Sequence, residues 1–268
     1  MKFKVFGQLS YEVFSETTFI FNIQAAKSAS QTIIQESLTI IPEIKFEEFL
    51  LKNNSTRFLK LVAKAETSFT ITYQAEVAVI QKIRNKETLR QSTPIIDLDP
   101  EVLPFISPSR YCESDKLSDF SNDKFGHLTN NYDKVLAINN WIFSTIQYKI
   151  GSTDSSISAY DILNLKHGVC KDFSHLGIAL CRSLDIPARY FTGYAYNLNP
   201  PDFHACFEAY ISGNWILFDP TQLSTNNLLV KIAEGKDASE VAVASYFGNT
   251  ICTNMNIQCA IIDSHLNE

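Results

Sequence analysis

The chain lacks the runs that would send it to a membrane or to nucleic acid. None of its apolar stretches approaches the ~18 residues of a transmembrane helix. The amino end, Met1-Lys2-Phe3-Lys4-Val5, leads into polar-apolar alternation and has no apolar core of a secretion signal. There is no basic block: the net charge is −6, which argues against nucleic acid or an anionic membrane as partner. No internal repeat, no low-complexity tract and no C-x-x-C pair of a structural zinc site is found. The six cysteines, at 112, 170, 181, 206, 252 and 259, follow no repeated spacing in a chain of 268 residues that is 45% hydrophobic and 19% charged. Such a chain is long enough to build a core without covalent staples, so reduced thiols fit better than a disulfide framework. The expectation is a soluble, unexported, cytoplasmic protein with no cofactor and no metal.

What is present changes character once along the chain. From Phe3 to about Gln81, short runs of Val, Ile, Phe, Tyr and Thr alternate with polar residues, as in Thr18-Phe19-Ile20-Phe21-Asn22-Ile23 and Ser68-Phe69-Thr70-Ile71-Thr72-Tyr73. Strands of this kind predict an antiparallel sandwich. Pro94, Pro100, Pro104 and Pro108 then break regular structure and mark a linker, which sets a first domain at 1–100 and a second at 101–268. In the second, Tyr132, Val135, Leu136, Ile142 and Ile146 recur at three- and four-residue steps and predict a helix over 131–149. Ser158 followed by Asp161 predicts a short capped helix over 158–165. Helices followed by strands make this half α+β.

Three residues of the second half carry the ingredients of thiol chemistry. Phe173, Leu176, Gly177, Leu180, Cys181 and Leu184 have the spacing of a helix buried along one stripe, and Cys170 opens it one turn earlier. At that end unpaired N–H groups and the positive end of the helix dipole favour an anion, and Gly168 permits the sharp entry. The helix is expected to stop at Asp185-Ile186-Pro187. Phe203, Ala205, Phe207, Ala209 and Ile211 alternate with His204, Cys206, Glu208 and Tyr210, which predicts a strand. A second run, Trp215 to Asp219, returns after Ser212-Gly213-Asn214. With a two-residue turn at Ser212-Gly213, Asp219 stands opposite Cys206 and diagonal to His204 on one face; an odd loop would put it on the other face. His204 would then take the Cys170 proton, Asp219 would orient the ring, and the Cys170 N–H would bind the oxyanion. Trp141, Tyr148 and Tyr160 are upstream aromatics with polar hydrogens, and the sequence does not rank them as a second donor.

Gly168-Val169-Cys170-Lys171-Asp172-Phe173, Arg189 to Tyr194, Asp202 to Glu208 and Leu217-Phe218-Asp219-Pro220-Thr221 resemble the bacterial transglutaminase-like cysteine peptidases of the transglutaminase core superfamily. The likeness extends to Ser109–Asp115 and Lys231–Ala242 and covers most of the chain after about residue 105. It implies a papain-like α+β catalytic domain behind an N-terminal β domain, with Cys170, His204 and Asp219 as nucleophile, base and orienter. The implied activity is cysteine peptidase or amidase, acting on a peptide or protein amide. Cys206 departs from the pattern, where an aromatic is the more usual residue.

Plainer readings stand beside this one. Cysteine is among the most buried residue types, and Cys181 reads as core. Asp172 reads as a first-turn acid on the helix dipole, and His175 and His167 as structural or exposed. Glu208 and Tyr210 share the His204 face, with burial the simpler role for Tyr210. A zinc site from Cys170, His204 and Cys206 is a rival, disfavoured because it leaves Asp219 no ligand role and supplies no fourth ligand. Other readings of the same residues are a protein-glutamine transglutaminase, with an amine in place of water, an arylamine N-acetyltransferase, whose family opens with helices, and a binding module with a vestigial triad.

Overall fold

The alternating amino-terminal segments pair into two antiparallel sheets in the computed structural model, which describes residues 1–50, 55–80, 86–91, 93–224 and 227–262. The strands are β1 (Lys2–Val13), β2 (Thr17–Phe21), β3 (Gln31–Ile41), β4 (Phe46–Leu50), β5 (Arg57–Ala63) and β6 (Thr67–Val79). Gln81, where the strand-rich stretch was expected to end, lies outside the described residues. One sheet runs β3, β6, β1 and then β14 (Thr250–Ile261); the other runs β4, β5, β2 and then β13 (Ala244–Phe247). The period of two places every second residue of β1 inside, from Phe3 through Val5, Leu9 and Tyr11 to Val13. Between the sheets the rings of Tyr11 and Phe19 stand 5.1 Å apart, with Phe69 5.5 Å from Tyr11 and Phe21 5.5 Å from Phe19. These arrangements give aromatic pairs their favoured offset and edge contacts.

The last two strands come from the far end of the chain. Residues 244–261 fall in the second domain by linear division at residue 100, yet β13 pairs with β2 and β14 runs antiparallel to β1 along its length. The physical reason is edge protection: β1 and β2 are flanked on both sides only when these strands return.

The remaining elements are α1 (Lys86–Leu89), α2 (Ser118–Phe125), α3 (Asn131–Thr145), β7 (Gln147–Tyr148), α4 (Ala159–Leu165), β8 (His167–Gly168), α5 (Cys170–Arg182), β9 (Ala188–Ala195), β10 (Phe203–Ile211), β11 (Asn214–Phe218), β12 (Leu229–Gly235) and α6 (Ala238–Val241). β9 to β12 form a third antiparallel sheet in the order β11, β10, β9, β12. α3 stops at Thr145, short of the expected Lys149, because Gln147 and Tyr148 turn extended and pair in parallel with His167 and Gly168. α4 is capped as expected, the Ser158 N–H donating to Asp161 at 2.9 Å.

α5 is the axis of this half. One buried stripe was expected, but every residue from Asp172 to Arg182 is buried, since α3 and α4 cover the helix as well as β9 and β10. Gly177 allows the close approach of the sheet: a Cβ there would stand 2.6 Å from the Phe207 ring. At the far end the Arg182 guanidinium donates to the carbonyls of Ala188, Ser107 and Lys236 and to the Ser109 hydroxyl. It thereby pins the proline-rich segment and the β12–α6 connection to the helix. The two halves share one continuous core. Tyr194 closes the seam, its ring against Gly7 and its hydroxyl donating to the Ile23 carbonyl at 2.6 Å.

Candidate active site

Only the first two residues of α5, Cys170 and Lys171, reach the surface, so the open end of an otherwise enclosed helix is the one that carries the thiol. Asp172 fixes the entry. Its buried carboxylate accepts from the Val169 N–H at 2.9 Å, the Thr153 hydroxyl at 2.5 Å and the Lys171 ammonium at 2.7 Å. Gly168 makes room, since a Cβ at that position would meet Asp172 at 2.8 Å.

The hairpin turn is even. Ile211 pairs with Asn214 and Phe207 with Phe218 around Ser212-Gly213, both at positive φ, as a tight two-residue hairpin turn requires. One step further on this register puts Asp219 opposite Cys206. The His204 Nε2 lies 2.9 Å from Asp219 Oδ2, with both residues buried. Asp219 is saturated: Oδ1 accepts from the Thr221 N–H and hydroxyl at 3.0 and 2.7 Å, and Oδ2 from the Ser224 N–H and hydroxyl at 2.9 and 2.7 Å. Burial opposes its charge, but the donors, His204 first, hold the carboxyl well below the usual carboxylate range.

Burial likewise works against a charged His204, and its neighbours Cys206, Asp219 and Cys170 reverse the outcome, raising its pKa above the ordinary imidazole value. Burial pushes the Cys206 thiol up to about 12, so it is protonated at neutral pH and leaves Asp219 and Cys170 to support the imidazolium. The His204 Nδ1 is buried and has no hydrogen-bond partner among the described residues. Cys170 is close enough to the ring to count among the groups that raise its pKa, while Asp219 holds Nε2.

The structure thus brings Cys170, His204 and Asp219 together. It sets the neighbouring candidates apart. His175 is buried between the rings of Tyr111 and Tyr190, each 5.0 Å away, and accepts the Ala238 N–H. Glu208 is engaged by Arg189 at 2.7 Å and Lys231 at 3.2 Å, in a buried cluster with Glu234. The Tyr210 ring packs on Trp215. Ligand atoms of His204, Cys206 and Asp219 converge within 4.8 Å, a set that excludes Cys170 and so differs from the rival metal site. Both Asp219 oxygens in this set are already taken by Thr221, Ser224 and His204. Thr221 and Ser224 went unnoticed in the sequence. The Asp-Pro-Thr turn signals Thr221, since an Asp side chain bonds backbone two residues on, whereas nothing local signals Ser224.

A model of the bacterial transglutaminase N-terminal domain matches residues 1–101, and one of the transglutaminase-like superfamily matches residues 118–220. A crystal structure of a Cytophaga hutchinsonii protein described as a "Putative Cysteine Protease" superposes with a TM-score of 0.96 at 52% identity, covering 98% of this chain and 91% of that one. The chain belongs to the transglutaminase-like superfamily. Among curated relatives, the uncharacterized protein ML0607 of Mycobacterium leprae is 32% identical over 117 residues, 40% of this chain and 42% of its own length. The uncharacterized protein YebA of Bacillus subtilis is 24% identical over 194 residues, 64% of this chain and 25% of its own length. The chain thus spans less than half the length of either curated relative. Superfamily and structural neighbour support a thiol enzyme on a papain-like α+β core preceded by a β domain. Among the described residues no helix is long and apolar enough to cross a membrane.

Proposed function

We propose that the protein is a cysteine peptidase or amidase in which Cys170 is the nucleophile, His204 the general base and Asp219 the group that orients the ring. The observation that carries the proposal is the placement of His204 between a saturated carboxylate and the thiol at the one open end of α5. His204 Nδ1 takes the Cys170 proton, Sγ bonds to the amide carbon, and the carbonyl π pair moves to oxygen. When the C–N bond breaks, the leaving nitrogen takes the proton from His204 and a thioester remains. Water then gives a proton to His204 and its oxygen to the carbonyl carbon, and the thiol is restored. The Cys170 N–H, which has no intrahelical acceptor at the start of α5, faces the developing oxyanion. The substrate is a peptide or protein amide, and the compartment is a reducing one, the cytoplasm, since the attacking sulfur must stay a thiol.

The test is incubation with a peptide library, with and without a primary amine, comparing the native protein with Cys170→Ala. Released amine without incorporation of the added one is expected, and its complete loss in the variant. Incorporation of the added amine would instead assign transglutaminase chemistry to the same triad. Unchanged turnover in the variant would remove the nucleophile.

A further inference from the structure

We propose that the cleft between the proline-rich segment and the far end of the third sheet is a second binding site, which takes a lysine- or arginine-bearing stretch of peptide. It lies about 20 Å along β10 from His204, the span of the six residues to Tyr210, and it stands whether or not Cys170 is the nucleophile.

The cleft is a cavity of about 950 Å³, with residues 99–105 on one side and Arg189, Tyr210, Trp215 and the end of β12 on the other. That volume is near the top of the range of about 300–1,000 Å³ for ligand pockets and suits several residues of chain. Both sides are tied to α5, since Arg182 donates to the Ser107 carbonyl just past the first and to the Lys236 carbonyl in the second. The lining is aromatic where the two sides meet. Tyr210 pairs with Trp215 across the β10–β11 hairpin, their ring centroids 5.1 Å apart, and Phe105 reaches over from the proline-rich side to meet Trp215 edge-on at 5.3 Å. All three rings are half-buried and line the cleft.

One cation of this kind is already held there. The Arg189 guanidinium lies 4.2 Å from the Trp215 ring centroid, clamped by Glu208 at 2.7 Å and Glu234 at 3.0 Å. Lys231 also pairs with both acids, so this inner cluster of two carboxylates and two cations carries no net charge. The rest of the lining does carry one. Asp99, Glu101 and Glu240 stand there against Lys236, three acids to one base. A cation entering from solvent thus meets the combination that holds Arg189, aromatic rings beside carboxylates, where negative charge is in excess. A phosphate or an acidic peptide would meet repulsion at the same place, and a lone metal ion would make no use of the rings.

Trp215 reports on the cleft directly, since Trp141→Phe leaves it as the single tryptophan. In that background, capped hexalysine and capped hexaglutamate are titrated against the emission of Trp215 at low and at high salt. A saturable change with hexalysine is expected, weaker at high salt, and none with hexaglutamate. Asp99→Asn combined with Glu240→Gln removes two of the lining acids, both exposed, and should weaken hexalysine binding about tenfold, the range of two exposed charge pairs. Glu12→Gln combined with Glu16→Gln makes the same change in net charge on the sandwich and should leave binding within twofold, with a urea melt to confirm that both double variants are folded. No saturable response to hexalysine would overturn the proposal. So would an equal fall in the two double variants, which marks general attraction to a protein of net charge −6. The readout needs no turnover, so its failure is distinct from a failure of the triad.

Discussion

Replacing Asp219 with Asn removes the charge that supports His204 while keeping the side chain's size. At 2.9 Å and an effective dielectric of ~20, a carboxylate and an imidazolium attract by ~6 kcal/mol. Both groups are buried, and desolvation takes back part of this; with half retained, ~3 kcal/mol, the ring's pKa falls by about 2 units in the variant. The imidazolium–thiolate pair then loses about 100-fold in population to the neutral imidazole and thiol. The amide must also turn its NH2 toward the donors of either Thr221 or Ser224, costing about 1–3 kcal/mol of stability. The assay is the rate of iodoacetamide alkylation at Cys170, read by peptide mapping from pH 5 to 10, with a urea melt to confirm folding. At pH 7 the variant should react about 100-fold more slowly. By about pH 10 the two should converge, because a free thiol ionises unaided above its ordinary pKa of about 8.5. Equal rates at pH 7 in a folded Asn variant would refute the reasoning.

Three further outcomes test the scaffold. His175 is held neutral by burial, its pKa lowered from 6.5 to about 4, so between these values the unfolded chain binds the extra proton. That stability is full above pH 6.5 and is lost as pH falls through 4, by up to about 3 kcal/mol in urea unfolding, and His175→Phe should flatten this slope. Arg182→Met strips the donors from the carbonyls of Ser107, Ala188 and Lys236 and should cost about 3–5 kcal/mol in the same measurement; a loss under about 1 kcal/mol would show that these carbonyls find other partners. Gly177→Ala drives a methyl group into Phe207 and should lower stability by about 1–3 kcal/mol, read as a fall in Tm; an unchanged Tm would mean that β10 yields freely.

Much of the site was legible because its signals are local. A cysteine at the start of a helical period, a strand with His204 on one face and a two-residue turn that preserves parity each occupy one short stretch of sequence. The register then follows from counting, and Ile211 facing Asn214 is the result. What stayed hidden depends on distant partners. Ser224 reaches Asp219 across a loop of no fixed pattern. The return of β14 to β1 joins residues from opposite ends of the chain, and alternation alone cannot say which strand a segment will pair with. α3 was read too long because its apolar period runs on through Ile146, while the parallel pairing of Tyr148 with Gly168 decides where the helix stops. α5 reads as a one-sided helix because Ser174, His175 and Arg182 look polar; each is buried with a partner of its own.

The sulfur that carries the acyl group identifies the nucleophile. Native protein quenched in acid within the first turnover of p-nitrophenyl acetate, digested and mapped by mass spectrometry, should carry the acetyl thioester on Cys170, with none on Cys112, Cys181, Cys206, Cys252 or Cys259. A thioester on Cys206 or on the exposed Cys252, with Cys170 unmodified, would contradict it.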